Sequence, residues 1–200
     1  ETDLVVLHLG NGCSACAVRG GESVETSMGL SPLEGLVMGT RSGDVDPSLG
    51  AYLHRIADLD APGYDRALNK ESGMLALAGV SDLRLVEERA ATGDEDATLA
   101  LDVMVHRLVK YVGAYAAVLG RVDALVLTGG IGEHSDVVRG RLAKRLSLLG
   151  IELDEEANES GSGERAVTTA QSRTAMLVIP TNEELEIATQ TAELILVDGD

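Results

Sequence analysis

Residues 4–14, Leu4-Val5-Val6-Leu7-His8-Leu9-Gly10-Asn11-Gly12-Cys13-Ser14, run from an apolar segment into a pair of glycines and a small hydroxyl residue. The apolar part has the length and β-branched content of a buried strand. Glycines where such a strand ends let the backbone turn sharply and let a ligand come close to backbone N–H groups. A turn of this kind forms an anion-binding concavity suited to phosphate. Pattern alone does not separate this from an ordinary hairpin loop, the commoner source of an isolated G-x-G. What accompanies it along the chain decides between the two.

Two hundred residues suit one domain with a core large enough to stand without staples. A hydrophobic content of 44% and a mean hydropathy of +0.09 belong to a globular chain. Four tyrosines are the only aromatic residues, so the core must be built from Leu, Val, Ile, Ala and Met. A net charge of −17 argues against any electrostatic grip on nucleic acid or on an anionic membrane, and neither is expected as a partner. A phosphorylated ligand would have to be held by local backbone amides and a few chosen arginines. With no apolar run of membrane-spanning length and no signal-like N-terminus, the chain reads as cytoplasmic. It opens almost directly on a core-like strand without an initiator methionine, which suggests a fragment of something longer.

Cys13 and Cys16 form a C-x-x-C. No second pair of cysteines or histidines follows to complete a zinc site. On a strand the two would point to opposite faces, which hinders chelation and a disulfide alike. They are expected to be two small buried thiols.

After the first glycine loop, residues 13–18 and 23–27 read as further strands, joined by a hairpin turn at Arg19-Gly20-Gly21-Glu22. Residues 28–46 are glycine-rich and irregular. Pro47 suits the first turn of a helix capped by Asp46 and running to about Ala57. Residues 58–96 are polar and interrupted by Pro and Gly, and predict an insert of short helices and loops, one of them over Ser81 to Ala90 capped by Ser81 or Asp82. Leu101, Val105, Leu108, Val109, Val112, Ala116 and Leu119 fall at helical spacing within one long helix over Ala97 to Leu119. Val122 to Leu127 is a buried strand that ends in Thr128-Gly129-Gly130-Ile131-Gly132-Glu133. Ser135 or Asp136 then caps a helix reaching about Leu149, and 154–166 reads as an exposed acidic loop. Thr174 to Ile179 is another strand. A final helix over 182–197 has Glu183, Glu184 and Glu186 in its first turn, acids suited to the positive end of its dipole.

The order is β-β-β-α-β-α-β-α with an insert and one further helix. This is an α/β domain with a mixed sheet, and it resembles the actin, sugar-kinase and Hsp70 group (ribonuclease H-like), in which two such units flank a nucleotide; one of the two copies is present here, as a single domain over 1–200. The first glycine cluster leads into a hairpin and suits β- and γ-phosphates. The second leads from a strand towards a helix N-terminus, where glycines allow flat approach by a base or ribose. A Rossmann fingerprint would need glycine at position 135, which is Ser135, and the Gly-Lys-Ser/Thr ending of a Walker motif is absent.

Arg41 lies in Gly39-Thr40-Arg41-Ser42-Gly43-Asp44, and its planar fork suits phosphate or carboxylate. A salt bridge to Asp44 or Asp46 is the competing reading. Glu183 could ligate Mg²⁺ through water, or simply complement the helix dipole. His54 and His106 lie within helices and read as structural. None of the four histidines forms an H-E-x-x-H motif, and no G-x-S-x-G elbow of a serine hydrolase occurs.

Together, His8-Leu9-Gly10-Asn11-Gly12, Glu25-Thr26-Ser27-Met28-Gly29, the run from Pro32 to Pro47, Ser81-Asp82-Leu83-Arg84, Thr128-Gly129-Gly130-Ile131-Gly132-Glu133 and Pro180-Thr181-Asn182-Glu183-Glu184 resemble the acetate kinase (acetokinase) family, in order and over essentially the whole chain. The resemblance implies ATP + acetate ⇌ ADP + acetyl phosphate, with Mg²⁺ or Mn²⁺, in a homodimer. It implies that His8, Leu9, Gly10, Asn11 and Gly12 hold ATP phosphates. Asp82, Leu83 and Arg84, with Gly130, Ile131, Gly132, Glu133 and His134, would hold the adenosine. Arg41 would stabilise the phosphoryl group in flight and Glu183 would place the metal.

Three departures from the family pattern matter. His134 stands where Asn is usual, and the Ser81-Asp82 turn is one residue shorter than usual, which blurs the register of 82–84. The family's N-terminal domain, with its acetate-side residues, is missing, so the chain resembles the C-terminal, nucleotide-side half. Weak nucleotide binding and little activity are expected of it alone. A propionate or butyrate kinase, or a nucleotide-binding module without chemistry, are the competing functions.

Overall fold

The computed structural model describes residues 2–197. Its sheet contains β1 (Asp3–Leu9), β2 (Cys13–Arg19), β3 (Glu22–Thr26), β4 (Ala124–Thr128), β5 (Arg165–Ala166) and β6 (Ala175–Val178), side by side in the order β3-β2-β1-β4-β6-β5. The central pairs β1/β4 and β4/β6 are parallel, whereas β1/β2, β2/β3 and β5/β6 are antiparallel. Burial follows this topology. All five residues of β4 are buried, as expected for a central parallel strand covered on both faces. Along β1, Val5, Leu7 and Leu9 point into the core while the residues between them are half-buried.

The helices are α1 (Leu49–Ala57), α2 (Ala61–Lys70), α3 (Gly73–Ala78), α4 (Leu83–Ala91), α5 (Glu95–Leu119), α6 (Gly129–His134), α7 (Asp136–Arg145), α8 (Glu155–Glu159) and α9 (Glu183–Val197). The long helix α5 lies across β1 and β2. Its start is fixed by the Asp94 carboxylate, which accepts from Ala97 N at 3.0 Å, and by Glu95 and Asp96 in the first turn. Its stripe of Ala97, Leu101, Met104, Leu108, Val112 and Leu119 is buried, with Val109 and Ala116 at the stripe's half-buried margin. Aliphatic side chains and methionine make up nearly all of the core, and Tyr115 is its aromatic member.

Several boundaries differ from the sequence reading. Helix α1 starts at Leu49, beyond Pro47, because Asp46 turns the chain: its Oδ1 accepts from Ser48 N at 2.7 Å and its carbonyl from Leu49 N at 3.0 Å. The second glycine cluster is itself a helical turn, α6. Helix α7 ends at Arg145 and is followed by a 3-10 turn, Ser147–Leu149, closed by Gly150. The acidic stretch after 154 contains α8 and β5. Of the two cysteines only Cys13 is buried. Cys16 is half-buried near the edge of the sheet, its Sγ 3.0 Å from Ser23 Oγ, because β3 is too exposed to cover it.

Candidate functional site

Because β1, β4 and β6 run parallel, their carboxyl ends lie at one edge of the sheet, where ligands bind in open α/β sheets. The three segments that leave this edge are Gly10-Asn11-Gly12, Gly129 to His134, and Pro180 to Glu183. The first closes a tight hairpin in which Gly10 N donates to Gly12 O at 2.9 Å. The second passes directly over it. Gly129 has φ +76, and a Cβ there would stand 2.7 Å from Leu9 O, so only glycine lets the two turns meet.

Above them is a cavity of about 440 Å³ lined by Gly10, Asn11, Ser81, Asp82, Leu83, Arg84, Glu87, Gly130, Ile131, His134 and Ser135. Eight of the fifteen residues singled out from sequence therefore share it: Gly10, Asn11, Asp82, Leu83, Arg84, Gly130, Ile131 and His134. The starts of α4 and α6 both line it, bringing apolar Leu83 and Ile131 to the cavity together with polar Asp82, Arg84 and His134. His8, Leu9, Gly12, Gly132, Glu133 and Glu183 do not line it. Leu9 is turned into the core, Gly132 packs on Leu127, and His8 lies under Gly129.

Arg41 stands beside the hairpin: a Cβ on Gly12 would be 3.4 Å from its Nη1. Neither Asp44 nor Asp46 pairs with it. Among the described residues its guanidinium donates to Pro32 O, at 3.3 Å, and to Met38 Sδ, at 3.5 Å. Asp44 is taken instead by distant partners, Arg107 Nη1 at 3.2 Å and Tyr111 Oη at 2.9 Å. Arg41 is thus held in place by weak acceptors, with its charge still available. Asp82 caps α4 by accepting from Arg84 N at 3.0 Å and also pairs with the Arg84 guanidinium at 2.6 Å. These bonds from Arg84 hold the exposed Asp82 carboxyl below its ordinary value.

Glu87, Ser81 and Ser135 are site residues that the sequence reading did not assign. Glu87 lies one turn beyond Leu83 on the same helix face, a spacing of four that could have pointed to it. Its carboxyl accepts from Ser135 Oγ, which in turn accepts from Val138 N at 2.9 Å as the cap of α7. Burial pushes the Glu87 carboxyl above its ordinary value, against the Ser135 hydrogen bond, which pulls it down.

Glu183 is exposed in the first turn of α9, at the same edge of the sheet but outside the cavity. Among the described residues no group of three or more His, Cys, Asp or Glu is gathered as a metal centre. No helix among them is long and apolar enough to cross a membrane.

A mixed sheet of this order, with turns meeting at the ends of its parallel strands, defines an actin/sugar-kinase-like domain. Within that class the chain belongs to the acetokinase family, which it matches over residues 1–189. It is 55% identical over 192 residues to acetate kinase of Clavibacter sepedonicus, covering 96% of this chain and 48% of that relative. Its fold superposes on the crystal structure of Porphyromonas gingivalis acetate kinase with a TM-score of 0.92 at 41% identity, over 97% of this chain and 49% of that one. A propionate kinase from Francisella tularensis is similar too, with a TM-score of 0.89 at 44% identity over 94% of this chain and 48% of that one. The chain spans about half the length of the curated relatives it matches.

Proposed function

We propose that this chain is the nucleotide-side half of a two-domain acetate kinase, which transfers a phosphoryl group between ATP and acetate to give ADP and acetyl phosphate. The observation that carries the reading is the single cavity shared by the Gly10 hairpin, the Gly130 turn and the start of α4. Its C-terminal placement within the longer protein belongs to the same proposal and rests on the residue motifs. The adenosine lies between Leu83 and Ile131, with Asp82, Arg84 and His134 around it. The phosphates lie along Gly10, Asn11 and Gly12, with His8 and Leu9 shaping the strand end beneath. Arg41, beside Gly12, meets the charge that develops on the transferring group; phosphoryl transfer needs positioning and charge neutralisation more than covalent help from the protein.

Mg²⁺ or Mn²⁺, when bound, would neutralise charge on the phosphates. A lone exposed acid such as Glu183 fits an ion that keeps most of its waters and takes one or two carboxylates with phosphate oxygens. Gly132 and Glu133 serve as the frame of the turn. The remaining finer features, a homodimer and a cytoplasmic location, follow from the family by analogy.

The test has two parts. Calorimetric titration of the 200-residue chain with ATP is expected to show weak binding without acetyl phosphate formation. In a chain carrying both halves, Arg41→Ala should lower kcat about 10²- to 10³-fold, the scale of a lost transition-state donor. Unchanged kcat would remove Arg41 from the transition state, and absence of turnover by the unsubstituted two-half chain would leave a nucleotide-binding module without chemistry. The likeness to a propionate kinase favours a second reading, in which propionate replaces acetate. Comparing kcat/KM for the two acids decides it, since one methylene shifts selectivity by roughly 10- to 200-fold.

A further inference from the structure

Arg139, on α7, is among the most deeply buried side chains of the molecule, only 1% exposed, yet among the described residues none of its bonds goes to a carboxylate. Its Nε donates to Asn158 Oδ1 at 2.7 Å and its Nη2 to Asn158 O at 2.7 Å. Its Nη1 donates to Gly132 O at 2.9 Å and to Glu133 O at 3.0 Å. Asn158, 3% exposed, is itself fixed by donating from Nδ2 to Asp136 O at 3.1 Å. Burying a cation with no carboxylate bonded to it is costly, and burial depresses the Arg139 pKa, helped by Arg165 and opposed by the more distant carboxylates of Asp136 and Glu87. An apolar side chain would fill the same volume at lower cost, so packing alone does not account for an arginine.

The bonds themselves supply the account. The carbonyls of Gly132 and Glu133 belong to α6, six residues long, which is too short to hold its shape unaided. The rest of that turn, Gly130, Ile131 and His134, forms one wall of the cavity. Arg139 thus ties the back of the wall to α8, some twenty residues further along the chain.

We propose that Arg139, gripped by Asn158, is a positioning residue of the nucleotide site, fixing α6 so that Gly130 and Ile131 stand opposite Leu83. This rests on the reading of the cavity as that site. The experiment is calorimetric titration of the chain and of Arg139→Lys and Asn158→Ala with ATP, reading Kd and stoichiometry separately, with thermal melts alongside. Each variant is expected to raise Kd about 10-fold or more, the scale of one lost charge-assisted bond, at wild-type stoichiometry. Asn158→Asp, which keeps size and offers Arg139 an acceptor, should restore Kd to within a few-fold of wild type. Where Arg139→Lys does not fold, the two Asn158 variants carry the comparison.

Wild-type Kd in Asn158→Ala, or a loss of stoichiometry at constant Kd, overturns the positioning role and reduces the pair to a stabilising contact. Absence of ATP binding by the wild-type chain overturns the cavity reading, and the positioning role with it.

Discussion

Glu87 keeps its proton to a higher pH than the ordinary glutamate value of 4.5, because burial beside the cavity disfavours its charge. Between 4.5 and its raised folded value, the native state therefore holds more protons than the unfolded chain. The stability it contributes is complete below that interval and is lost as pH rises through it. Glu87→Gln removes the titration, so its melting temperature should gain on wild type steadily as pH is raised from 4.5. Melting curves that stay parallel across pH would sink this account. The cysteines make a second residue-scale case. Burial pushes the Cys13 thiol up to about 12, while half-buried Cys16 sits near the sheet edge. An alkylating reagent should label Cys16 in the native chain and Cys13 only after denaturant is added, as read by peptide mass. Equal rates at the two sites would mean that the Gly10 hairpin opens readily.

At the scale of elements, the loop that carries Arg41 is locked by its neighbours. Met74 N and Leu75 N, at the start of α3, donate to Met38 O and Gly39 O, each at 2.9 Å. The contact requires Gly73, whose φ is +62 and where a Cβ would stand 2.1 Å from Met38 O. Gly73→Ala should cost about 1–3 kcal/mol in chemical denaturation, the scale of a backbone forced out of place. It should also weaken whatever Arg41 does, because the loop must shift to make room. The elements that sequence made legible are those whose signals are local: the alternating β1, the capped and periodic α5, and the strand β4. Helix α6 is not legible as a helix in its glycine-rich sequence, since the bonds from Arg139 to its carbonyls come from the next helix. The competing salt bridge from Arg41 to Asp44 or Asp46 does not form, for a related reason. Asp44 is three residues away, yet it is claimed by Arg107 and Tyr111, which lie 63 and 67 residues further along. Spacing shows which pairs are possible, and tertiary packing selects among them.

For the whole molecule, the same division holds for the site: both glycine turns and the start of α4 were readable as motifs, but that they face one cavity follows from parallel pairing of β1 with β4. Glu87 and Ser135, 48 residues apart, meet only through that arrangement. The global charge then sets a condition on how a ligand arrives. At −17 the chain repels a polyphosphate at long range, whereas at the proposed site Arg41, Arg84 and the amides of the turns would attract it at short range. The Debye length shrinks from about 30 Å at 0.01 M salt to about 10 Å at 0.1 M, so added salt screens the distant repulsion before it reaches contacts made at short range. The association rate of a fluorescent ATP analogue, followed by stopped flow, should therefore rise over that range of salt. The opposite trend, a rate falling with salt, would mean that the local field of the site's arginines outweighs the charge of the whole chain and steers nucleotides in from a distance.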